Sequence, residues 1–116
     1  MLQGFRVVEE TGQLVAWSLG NFIFRSFRDE TRMSAVLYVD VAQDGRIVGA
    51  RVEPMFIDDL RPRPAAERAR DVLRRLRTLS APFATQIDDS GRIAVPVIEP
   101  VPEAPTLVKL PILRIP

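Results

Sequence analysis

The stretch Met33–Phe56, MSAVLYVDVAQDGRIVGARVEPMF, holds two apolar runs on either side of Asp44-Gly45. In the first run Met33, Ala35, Leu37, Val39 and Val41 fall on one face, the period of two that a half-buried strand requires. Ala42–Arg46 carries turn chemistry, with Gly45 suited to a left-handed position. Ile47–Phe56 then reads as the returning partner strand, with Pro54 expected near its end, where a missing donor costs least. A β-hairpin of this length sets a β-rich frame, into which the rest of the chain must fit.

A shorter hairpin is expected upstream. Phe5 and Val7 alternate with Arg6 and Val8, Glu9–Gly12 supplies a turn, and Leu14–Trp17 returns. Residues 25–32, RSFRDETR, are polar and read as a loop. Trp17 and Tyr38 sit among apolar strand residues, so both are expected in the core. From Pro64 to Ser80 the period changes. Ala65, Ala69, Val72, Leu73, Leu76 and Leu79 form a helical stripe with charge on the opposite face. Pro64 suits a first helical turn, Glu67 lies early and Arg74, Arg75 and Arg77 lie late, as the helix dipole favours. Asp71 is placed to pair with Arg74 or Arg75. A further turn, Asp88–Gly91, separates the apolar runs Phe83–Ile87 and Ile93–Val97. From Pro96 onward six prolines deny ladder hydrogen bonds, so 96–116 reads as an extended tail able to lie along the domain surface. The fold class expected is α+β: two hairpins and one amphipathic helix in a domain over 1–95, then the tail.

Composition excludes a good deal. A chain of 116 residues accommodates one modest domain. The net charge of +1 gives no global field for nucleic acid. The Arg-rich helix is diluted by Glu67 and Asp71 and carries no interleaved aromatics for base stacking. No cysteine is present, which removes thiolate chemistry and leaves the redox compartment undetermined. No histidine is present either, so the commonest metal ligand and the commonest general base at neutral pH are both missing. The paired carboxylates Glu9-Glu10, Asp58-Asp59 and Asp88-Asp89 adjoin turns, and neighbours on an extended chain point to opposite faces. The start of the chain lacks the basic and apolar regions of a signal peptide, and no apolar run approaches a membrane span. A cytoplasmic location is the default expectation for the chain as given.

One stretch is more particular than its hydrophobicity. Ala16–Phe24, AWSLGNFIF, sets a serine and a Gly-Asn pair inside an apolar run. Together with Leu2-Gln3-Gly4-Phe5 it resembles the end of the catalytic domain of the CapA family. These are bacterial poly-γ-glutamate capsule biosynthesis proteins with a calcineurin-like metallophosphatase fold. In that family an "LQG" strand leads by a turn to a "YSLGNFIF"-type strand, and here Trp17 stands where Tyr is usual. The likeness continues more loosely through Thr31-Arg32, the hairpin Met33–Phe56 and the helix ending Leu76–Ser80, and covers roughly residues 2–87. Arg25 departs from it, since an acidic residue often follows this strand in relatives.

The resemblance implies a hydrolase fold whose two divalent metal ions are held by Asp, Asn and His ligands. In the family the LQG strand directly follows a Gly-His-x-His-type motif, so those ligands would lie upstream of Met1, and the chain would be a carboxy-terminal fragment, inactive alone. It also implies that Ser18, Gly20 and Asn21 line the substrate cleft: Gly20 by close backbone approach, Asn21 by presenting an amide to a phosphate or carboxylate, and Ser18 by bonding a neighbouring loop. The partner it implies is a separate amino-terminal half. The alternative from a different class is a non-catalytic β-rich interaction module. Open strand edges would then pair with another chain or with a second copy of this one.

Overall fold

The computed structural model describes residues 1–23, 25 and 27–99. The expected tail therefore falls outside the described residues beyond Glu99. The elements run β1 (Phe5–Val7), β2 (Leu14–Ala16), α1 (Asp29–Arg32), β3 (Met33–Val41), β4 (Ile47–Asp58), β5 (Arg61–Pro64), α2 (Ala69–Ser80) and β6 (Arg92–Ile93). The architecture is α+β. β1 and β2 form an antiparallel hairpin with Phe5 opposite Ala16. β4 is the spine of a four-stranded antiparallel sheet. One edge carries β3 from Met33↔Phe56 to Val41↔Ile47, and the other carries β5 at Met55–Asp58 and β6 at Ala50-Arg51.

The expected hairpin is present with its turn at Gly45 (φ +90°). Pro54 lies well inside β4 rather than near its end. Its position is tolerated for a register reason: Ala35↔Pro54 is a pair whose Ala35 N–H points away from β4, to the Leu19 carbonyl, so Pro54 owes β3 no donor. Pro64 ends β5 instead of starting the helix, and a 3-10 turn at Ala66–Arg68 leads into α2. Within 25–32, Asp29–Arg32 closes one helical turn, Arg32 N–H donating to the Arg28 carbonyl at 3.1 Å. Asp71 lies 3.9 Å from Arg74, as the helical spacing allows.

Val72, Leu73 and Leu76 are the buried stripe of α2, and they pack in one core with Leu2, Phe5, Val52 and Ile93. Each such side chain stabilises by roughly 1.5–3 kcal/mol when fully buried. The end of the helix meets the hairpin backbone directly. A Cβ on Gly4 would lie 2.2 Å from the Leu79 carbonyl oxygen, so no larger residue fits. One residue on, the Phe5 N–H donates to Ser80 Oγ at 3.0 Å, with both residues fully buried.

Trp17 and Tyr38 are not core residues. Trp17 is 48% exposed and stacks on Phe83 at 4.7 Å, while Tyr38 is 50% exposed beneath the Arg51 guanidinium at 4.4 Å. Tyr38 alternates with the apolar face of β3, and it therefore points away from the helix. Both rings keep a polar edge in water, as amphipathic aromatics do.

Ser80→Ala should leave the Phe5 N–H buried without an acceptor. Urea unfolding is expected to show a loss of about 1–3 kcal/mol, far more than an exposed Ser→Ala change gives.

Candidate functional site

The run Leu14–Ile23 does not continue as one strand. β2 stops at Ala16, Leu19 forms a single bridge with Leu2, and the chain then bends. Gly20 has φ +84°, and a Cβ there would sit 2.8 Å from the Met33 carbonyl oxygen. Only glycine meets both conditions, since the left-handed backbone and the close approach each exclude a side chain. Ser18 Oγ accepts the Gly20 N–H at 3.2 Å, closing a local serine turn. The bend is then fastened to β3. Ala35 N–H donates to the Leu19 carbonyl at 3.1 Å, and Ser34 Oγ bridges the Leu19 and Asn21 carbonyls. Ser34 is 1% exposed, so the single hydrogen of its buried hydroxyl is shared between the two carbonyls of this crossing.

Asn21 is half-buried, and its Nδ2 donates to the Thr31 carbonyl at 3.1 Å. This bond ties the two ends of the 22–30 segment together. Ser18, Gly20 and Asn21 are thus collected at one bend beside the start of β3, each with a local structural partner. Beyond the bend three apolar side chains are exposed: Phe22 at 49%, Ile23 at 76% and Phe27 at 90%. Arg25 reaches Asp59 at 4.0 Å, which sets this segment next to the β4–β5 turn.

A recess of about 800 Å³ lies elsewhere, between the β3–β4 ribbon and the 86–95 segment, and none of the three residues lines it. Tyr38, Arg51 and Arg92 form a cross-strand row there, from the pairs Tyr38↔Arg51 and Arg51↔Arg92. Arg51 is neutralised by Glu53 at 2.9 Å. Sequence reasoning passed over this row. Its signal was available in the alternation of β3 and β4, which puts Tyr38 and Arg51 on the face opposite Ala35 and Val52.

The Asp88-Asp89 pair has structural work. Asp88 Oδ1 accepts from Ser90 Oγ at 2.7 Å and from the Ser90 and Arg92 amides at 2.9 Å. The Ser90 hydroxyl first, and the Arg92 amide next, hold its carboxyl below the usual carboxylate range. Asp89 pairs with Arg77 at 2.7 Å, which also donates to the Ile87 carbonyl, so the turn is anchored to α2. Among the described residues no three His, Cys, Asp or Glu side chains converge, so these residues offer no donor set that fits a metal pair. No helix among them is long and apolar enough to cross a membrane.

Compared with known proteins, the chain matches no family model and no curated protein.

Asn21→Ala should cost about 0.5–1.5 kcal/mol, the net worth of one hydrogen bond, and Gly20→Ala more, because strain and a backbone clash add. Chemical denaturation of the two variants side by side checks the order. The sign at Asp88 is that of a depressed carboxylate. Its contribution is complete above about pH 4 and is lost as pH falls through the lower folded-state value. Asp88→Asn should therefore narrow the difference in stability between neutral and strongly acidic solution, measured by urea unfolding at both.

Proposed function

We propose that this chain is the carboxy-terminal segment of a CapA-like protein of the metallophosphatase fold, acting in poly-γ-glutamate capsule biosynthesis. In this reading the metal ligands come from outside these residues, and the chain is catalytically silent alone. The observation that carries it is the Ser18–Asn21 bend. The same SLGNF residues that bear the resemblance make a glycine-dependent crossing over β3, and they leave Phe22, Ile23 and Phe27 uncovered beyond it. Apolar exposure of that kind marks a surface meant to be covered, here by the amino-terminal half of the domain. Ser18, Gly20 and Asn21 then line a cleft that the two halves build together, with the Asn21 carboxamide as the group facing the ligand.

Purified chain with manganese or zinc should give no turnover of a phosphodiester or of a γ-glutamyl polymer above a buffer blank; metal-dependent hydrolysis by the chain alone sinks this reading. With an amino-terminal half supplied, turnover should appear. Asn21→Ala should then lower it by more than a stability loss of about 1 kcal/mol explains. Unchanged specific activity per folded molecule would make Asn21 a bend residue and nothing more.

A second reading, a non-catalytic module that pairs with another chain through a strand edge, is favoured by one further observation. β3 is hydrogen-bonded to β4 along its whole length, while among the described residues its other edge is engaged only at its beginning.

A further inference from the structure

The free part of that edge is defined by alternation. Ala35 directs its N–H outward, to the Leu19 carbonyl. Residues two and four places on, Leu37 and Val39, direct theirs outward as well. Among the described residues no backbone group meets them. The irregularity between Asp40 and Val41 takes its extra residue, Val48, from β4 and leaves β3 regular. Leu37–Val41 carries no proline or lysine, the usual guards of an edge, and only one charge, Asp40. Its apolar side extends past the core: Val39 is 38%, Val41 59% and Val48 56% exposed.

We propose that Leu37–Val41 pairs antiparallel with the same segment of a second copy of this chain, about a two-fold axis at Val39. The inference rests on the second reading above and names its partner. The segment is complementary to itself in this register. Val39 faces Val39, Leu37 faces Val41, and Tyr38 faces Asp40 of the second copy, so no like charges oppose. Arg51 lies over the Tyr38 ring, at 4.4 Å from its centroid. The two-fold therefore sets its guanidinium in the same row as Asp40 of the second copy. Moving the axis to Asp40 would oppose two carboxylates. Moving it to Leu37 would drive Val39 of the second copy onto Ala35, whose edge the Leu19 crossing already holds. On the other face the exposed Val39, Val41 and Val48 of both copies join into one apolar strip, and the two sheets become continuous. A pairing of five residues a side is smaller than a standard interface, so the association is weak and concentration-dependent.

Sedimentation equilibrium of the full chain over a micromolar-to-millimolar series should show the mass rising from one chain toward two. Val39→Lys and Val39→Glu, each placing like charges on the axis, should both stay monomeric. An equimolar mixture of the two should recover association, because the axis then pairs Lys with Glu. Association unchanged in Val39→Lys, or a mixture that stays monomeric, overturns the Val39 axis. Hydrogen exchange on the unaltered chain keeps the test independent of how the variants fold: the Leu37 and Val39 amides should gain protection as concentration rises. Amides unprotected at every concentration overturn self-pairing while leaving the edge open to a different chain. Amides protected at every concentration mean that the edge is covered within one molecule, and the module reading fails with it.

Discussion

Everything in this fold depends on β4 having hydrogen-bonded neighbours on both edges. One edge takes β3 along its length, and the other is shared between β5 and β6. The point of greatest constraint is where the 88–91 turn meets it. Val52 N–H donates to the Gly91 carbonyl at 2.8 Å, and a Cβ on Gly91 would lie 2.1 Å from the Val52 carbonyl oxygen. Gly91 also has φ +85°, so glycine is required there twice over. That close contact lets β6 pair with Ala50-Arg51 and puts Ile93 in the core beside Val52. Without it the sheet would be a two-stranded ribbon with a short third strand, which is marginal in water.

The polar residues inside AWSLGNFIF answer the same demand for backbone partners. The chain must leave β2, cross the start of β3 and turn away. Each exposed peptide group on that path needs a partner. Ser18 holds the Gly20 amide, Ser34 holds two carbonyls, and Asn21 holds the Thr31 carbonyl. A purely apolar sequence could not make the crossing without leaving several of these groups buried and unmet. The site and the bend are therefore one object. Any ligand role for Asn21 has to be exercised by the part of its carboxamide that Thr31 does not use.

The core occupies only part of the sheet. α2 covers Val52 and its neighbours through Val72, Leu73 and Leu76, but the β3–β4 ribbon runs on past it. Among the described residues, exposed apolar side chains gather beside the SLGNF bend, at Phe22, Ile23 and Phe27, and at the far end of the ribbon, at Val39, Val41 and Val48. The first adjoins the SLGNF bend and suits a partner that packs on side chains. The second is a strand edge and suits another strand. The two surfaces ask for different partners, since one presents side chains and the other presents backbone as well.

The sequence by itself determined the local elements: the hairpin around Gly45, the first hairpin around Gly12, and the stripe of α2, because period, turn residues and dipole charges act within a few residues. It also determined, through the absence of histidine and cysteine, which site chemistries this chain cannot supply. Only the tertiary structure decided which face of each strand is covered. Met33, Ala35, Leu37, Val39 and Val41 share one face in the sequence pattern, yet burial fades from Ala35 at 3% to Val41 at 59%, because the helix is shorter than the ribbon beneath it. Tyr38 and Trp17 are exposed despite apolar neighbours along the chain, which do not tell which layer lies across from a ring. Pro64 joined a strand instead of opening the helix because pairing with Met55 was available to it, and pairing is a property of two distant segments. The bend at Gly20 was legible as an interruption, but its partners, Met33, Ser34 and Thr31, are brought to it only by folding.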